Sequence, residues 1–148
     1  MIPTIDDLRA GRTLAEIQGM PAELGAVMAS LAAREAAGGD LEVARGILEG
    51  LVVMNPRDAL AWALLSQVER RRGEPYAAVL CAEAAWRLAP DDRQVRLARA
   101  ESLLAVPADA GTGGAARRAA AREGLLALQA GEDDVARRAG ALLRALGP

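Results

Sequence analysis

The sequence predicts an all-α fold: a helical array of about three similar helix pairs, extended at its N-terminus and closed by a last helix. Three observations carry this. The chain repeats itself at a spacing of 34 residues, so that Met28 falls on Trp62, Leu31 on Leu65, Gly39 on Gly73, Ala44 on Ala78 and Pro56 on Pro90. Alanine, leucine, arginine and glutamate dominate, all strong helix formers, and β-branched residues are few. Aromatic content is only 2%, and small side chains let helices approach closely. At 148 residues the chain is read as one domain, 1–148, long enough to bury a core.

The elements follow in order. Residues 1–20 form an N-terminal helical extension, where Ile5, Leu8, Leu14 and Ile17 make an amphipathic stripe interrupted by Gly11. One or two short helices are expected there, ordered only against a packing surface, because isolated short helices are marginal in water. Residues 21–56 form repeat 1 and 57–91 repeat 2. Gly39 and Gly73 can take the left-handed conformation that ends the first helix of each pair. Asp58 and Asp91 are placed as N-caps after their prolines. Pro75 suits a first helical turn, where its missing N–H is not needed. Ala44 and Ala78 mark the close crossing within each pair. Residues 92–131 form a degenerate repeat 3. Its first helix spans 92–104, a lengthened turn carries Pro107 and three glycines, and a second helix over 115–131 is stopped by Gly131. Residues 132–148 form a capping helix with Val135, Ala139, Leu142, Leu143 and Leu146 on one face and charge on the other.

Composition narrows the chemistry. The net charge is -2 with signs interspersed, which does not suit a nucleic-acid surface. All 18 basic residues are arginine; there is no lysine and no histidine, so the commonest general bases and amine nucleophiles are missing. No convergent acid–base set is visible, and the chain is read as a non-enzyme without cofactor or metal. The single cysteine, Cys81, excludes an internal disulfide and reads as a buried structural thiol. Trp62 and Trp86 read as packing residues, with Trp86 facing the next repeat. "ERRRGE" (69–74) reads as the solvated last turn of a helix, and "EDD" (132–134) as acids at a helix start. "GTGGAARR" (111–118) lacks a phosphate-loop pattern and reads as a turn. The N-terminus has early acids and no apolar core, unlike a signal peptide, and no apolar run reaches the ~20 residues of a membrane span. A soluble, cytoplasmic protein is expected.

The stretch "AWALLSQVERRRGEPYAAVLCAEAAWRLAPDD" resembles the tetratricopeptide repeat, with Trp62, Leu65, Gly73, Tyr76, Ala78, Ala85 and Pro90 at that motif's places. Ser66 departs from the motif's usual glycine or alanine. The whole arrangement resembles the class II, translocator-holding chaperones of bacterial type III secretion. The stretch from Gly11 to Leu51 is similar to that family's extension running into repeat 1, and "AESLLAVPADA" (100–110) is similar to its "AE-x-LL" stretch. The resemblance implies a curved cytosolic cradle that holds an apolar segment of a secreted translocator and masks it before export. It implies a groove on the inward face of the first helices: Ala26, Ala29, Ala33 and Ala36; then Leu60, Ala63, Gln67 and Arg70; then Gln94, Leu97, Glu101 and Leu104. The family's groove usually offers Tyr or Phe, and this chain has neither at those positions. The resemblance further implies a homodimer contact through Ile5, Leu8, Leu14 and Ile17. Two other readings stay open: a chaperone of the needle subunit, and a general repeat scaffold for complex assembly.

Overall fold

The computed structural model describes residues 2–108 and 110–148. Within them the chain forms α1 (Ile5–Arg9), α2 (Leu14–Gln18), α3 (Ala22–Gly38), α4 (Leu41–Met54), α5 (Ala59–Arg71), α6 (Pro75–Leu88), α7 (Arg93–Ala105), α8 (Gly114–Leu128) and α9 (Asp134–Leu146), with no strand among the described residues. The pairs α3/α4, α5/α6 and α7/α8 pack antiparallel and stack in sequence, and α9 closes the stack against α8 and α7.

The helix boundaries are set by local chemistry. Asp40, Asp58, Asp92 and Asp133 each cap a helix, their carboxylates accepting from the N–H groups of Val43, Ala61, Val95 and Ala136 at 2.8–3.1 Å. A carboxylate there satisfies an orphan donor and faces the positive end of the helix dipole. The cap of α7 is therefore Asp92 and not Asp91; Asp91 instead pairs with Arg96 at 2.8 Å. Gly39 and Gly73 have φ of +98° and +82°, the left-handed conformation expected after the first helix of each pair. Pro75 opens α6. α8 ends at Leu128 rather than at Gly131; Gln129 is its C-cap, and Gly131 turns the chain toward α9. At the start of α8 only glycine fits: a Cβ on Gly114 would lie 2.6 Å from the Ala108 carbonyl oxygen.

The N-terminal extension forms two short helices rather than one. Thr4 and Thr13 each make a reciprocal capping box, with Asp7 and Glu16 respectively. α2 packs on α4. Arg57 ties it down further, donating to the Gly11 carbonyl at 3.0 Å and to the Glu16 carboxylate at 3.2 Å. The Thr13 N–H, and then the Arg57 charge, hold the Glu16 carboxyl below its ordinary range.

Ala44 and Ala78 are completely buried, as a close crossing within each pair requires. Ala78→Leu forces extra volume into that crossing. The expected cost is about 1–3 kcal/mol, read as a fall of several degrees in the thermal midpoint by circular dichroism. An unchanged midpoint would contradict the crossing.

The run 69–74 does close α5, with Arg71, Gly73 and Glu74 exposed, but it is not solvated throughout. Glu69 is 4% exposed and lies between Arg45 and Arg72, at 2.9 and 2.8 Å. Arg72 also reaches Glu42, Arg71 donates to the Ala36 carbonyl, and Arg70 pairs with Glu101. These arginines tie the end of α5 to α3, α4 and α7, so the expected last helical turn is present but its charges are paired rather than simply solvated. "EDD" does mark a helix start. Asp133 caps α9, and its carboxyl is held below its ordinary range by hydrogen bonds from Arg93 and then from the Ala136 N–H.

Candidate functional site

The first helices form one row, α3 against α5 and α5 against α7, continued by α9 against α7; no comparable row of contacts joins α4, α6 and α8. The faces of α3, α5 and α7 that point away from their partner helices therefore share one side of the stack.

The structure gathers a pocket of about 230 Å³ on the seam between α3 and α5. Its walls are Ala33, Ala36, Ala37, Leu64, Gln67 and Arg71, over a floor of Leu48 and Val68. Alanine is the reason it exists: with methyl groups on α3, the facing helix leaves a space the size of one large side chain. Arg71 spans the rim and donates to the Ala36 carbonyl at 2.6 Å, which leaves Gln67 as the other polar group at the mouth.

The expected groove residues meet different fates. Ala33, Ala36 and Gln67 line this pocket. Ala26 lines a shallower hollow on α3 with Val27, Ser30, Leu31 and Arg34, while Leu60 and Gln94 are exposed near the starts of α5 and α7. Leu97 and Leu104 are half-buried against the C-terminal core. Ala29 and Ala63, by contrast, are buried inside the chain, so their small size serves helix packing and they present no surface. Arg70 and Glu101 are not free polar contacts either. They bond to each other at 2.8 Å, and Glu101, itself buried, also accepts from Arg138 of α9 at 2.7 Å.

Sequence reasoning missed Ala37, Leu64 and Arg71. Each lies three or four residues from an expected position, on the adjoining row of the same helix face, which a wider helical stripe would have included. In the extension, Ile5 and Leu8 are exposed and Leu14 is half-buried. Ile17 is 2% exposed, held within its own chain, and so is unavailable to a second copy.

Both tryptophans pack partly into the core. Trp62 donates its indole N–H to the Pro56 carbonyl at 2.9 Å, and Trp86 lies under the Arg99 guanidinium, 4.2 Å from the ring centroid. Cys81 is buried, and burial, aided by the charges of Glu69 and Glu49, pushes its thiol up to about 11. The thiolate is the reactive form. Native protein at about pH 8 should therefore resist alkylation and react fully once unfolded in denaturant, as mass spectrometry would show. Among the described residues no group of three His, Cys, Asp or Glu is placed to hold a metal ion, and no helix is long and apolar enough to cross a membrane.

No family model and no curated protein matches the chain by sequence. Solved structures do match it in three dimensions. The type III secretion translocator chaperone SycD of Yersinia enterocolitica aligns with a TM-score of 0.72 at 19% identity, over 90% of this chain and 97% of that one. A type III secretion complex from Aeromonas hydrophila aligns with a TM-score of 0.78 at 19% identity, over 95% of this chain and 92% of the other. Identity at this level speaks to fold, and the coverage includes nearly the whole array. The chain has the tetratricopeptide-type helical fold seen in a translocator chaperone of type III secretion.

Proposed function

We propose that the protein is a cytosolic chaperone of a type III secretion system that holds an apolar segment of a secreted translocator on its concave face. The observation that carries this reading is the alanine-walled pocket between α3 and α5, on an array folded like SycD. A pocket of about 230 Å³ accepts one bulky apolar side chain, and Gln67 at its mouth offers both a donor and an acceptor to the segment's backbone. Exposed Leu60 and half-buried Leu97 and Leu104 extend the apolar track along α5 and α7. Because this chain supplies almost no aromatic residues, the client supplies the bulky anchors. Binding removes the client's apolar surface from water and so suppresses its aggregation or early membrane association. No bond is made or broken. Exposed Ile5 and Leu8 supply the contact with a second copy in the same reading, which light scattering on the purified chain tests directly.

The deciding experiment is gentle co-purification of the tagged chain from its own organism, followed by co-expression with what is recovered. One apolar secreted protein, insoluble alone and soluble with this chain, is the expected result. Recovery of a small helical needle protein instead would move the client assignment to the needle subunit. Recovery of folded partners whose solubility is unaffected would overturn the chaperone reading in favour of a scaffold.

A further inference from the structure

The arginines of α3, α4 and α5 fall into two classes. Arg45, Arg70 and Arg72 each lie within 2.9 Å of a carboxylate. Arg34 and Arg71 pair with no carboxylate among the described residues, and both are exposed. These two stand on either side of the α3–α5 pocket. Arg71 belongs to its α5 wall. Arg34 follows Ala33 and precedes Ala37 by one turn on the α3 wall, and it borders the hollow that continues past Ser30 and Leu31. Glu42, Glu69 and Glu101 are committed to other arginines. Glu35 and Ala37 leave α3 about 160° apart at 3.6 residues per turn, so Glu35 is turned away from the pocket wall.

The geometry of Arg71 leaves it a function to perform. Its Nη1 donates to the Ala36 carbonyl at 2.6 Å, which fixes the guanidinium across the rim. Its Nε and Nη2 have no protein partner among the described residues. Those two N–H groups form the edge of a guanidinium that binds a carboxylate bidentately. The larger hollow of the molecule differs in this respect. An open groove of about 500 Å³ beside Trp86, between α6 and α8, also holds two arginines. There Arg96 and Arg99 already pair with Asp91 and Glu83, so its charges are balanced within the chain.

We propose that the α3–α5 pocket recognises two groups together: a bulky apolar side chain, seated among the alanines, and a carboxylate two residues from it, bound by Arg71. Arg34 adds positive charge from the other wall. In an extended segment, side chains two apart share a face and stand about 7 Å apart, which reaches from a hollow of this size to a guanidinium on its rim. A basic residue at that place in a segment would meet two like charges, so the same pair of arginines selects against it. This assignment rests on the pocket being the client's seat, and it names which apolar segments fit.

Two blocked pentapeptides test it on the full chain. Both carry phenylalanine at the centre with a glycine on each side; one has glutamate at both ends, the other glutamine. Binding is followed through the methyl resonances of Ala33 and Ala37, which respond even to weak ligands. At about 0.05 M salt the glutamate peptide should bind about 3- to 5-fold more tightly, the range of a partly exposed ion pair. The advantage should vanish at about 1 M salt, where the screening length is ~3 Å, and in Arg71→Gln. Equal affinities of the two peptides for the unmodified chain overturn the carboxylate site and leave the pocket standing. So does a glutamate advantage that survives Arg71→Gln. If neither peptide shifts either methyl, the pocket fails as an apolar seat and this inference fails with it. The peptide and salt comparisons use the unmodified chain, so they decide the matter even where the variant fails to fold.

Discussion

Ala33→Trp should weaken binding of the apolar client segment by about 30-fold, roughly 2 kcal/mol, with the thermal midpoint nearly unmoved. Ala33 is exposed at the wall of the α3–α5 pocket, so a larger side chain can turn into that space without disturbing the core. An indole there occupies the volume that the client's anchor would fill. The stability cost of such an exposed substitution is within about 0.5 kcal/mol. Calorimetric titration with the segment as a peptide, set beside Ala141→Trp on the exposed side of α9, separates pocket filling from a general effect of an added tryptophan. Equal affinities in the two variants would place the client elsewhere on the molecule.

Leu48→Ala carries the largest expected loss of stability, about 2–5 kcal/mol, as burial of a leucine is lost and a cavity remains. Leu48 is completely buried on α4 and belongs to the cluster that joins α3, α4 and α5. It also forms the floor of the pocket, so the variant should bind client more weakly in proportion to the fraction unfolded. Leu125→Ala, equally buried in the C-terminal cluster, is the matched comparison. Urea unfolding followed by circular dichroism reads both. In a stack each repeat contacts its neighbours, so a hole in either cluster is felt through the shared seam. A shift for Leu48→Ala below about 1 kcal/mol would mean that α4 repacks over the hole.

Most of the architecture was legible because it is local. The 34-residue period, the glycines after the first helices and Pro75 at a first turn depend on backbone conformation and on residues a few places apart. The small groove residues were only half legible. Ala29 and Ala33 look alike in the sequence, and which one is buried depends on how α3 rotates against α4 and α5. Asp91 and Asp92 are neighbours of the same type, and only the path of the turn decides which carboxylate reaches the Val95 N–H. The arginines misled for another reason. A long guanidinium side chain can snorkel to water or cross to another helix, and its partners lie 30 or more residues away: Arg70 on Glu101, Arg71 on the carbonyl of Ala36, Arg72 on Glu42.

By itself, then, the sequence determined that this protein is a stack of helix pairs with capped ends, because periodicity, capping and turn chemistry act over a few residues. The tertiary structure alone decided where the stack is open. The pocket between α3 and α5 and the open groove beside Trp86 both depend on volume left over between helices. Leftover volume is a property of facing surfaces, and facing surfaces exist only once the chain has folded.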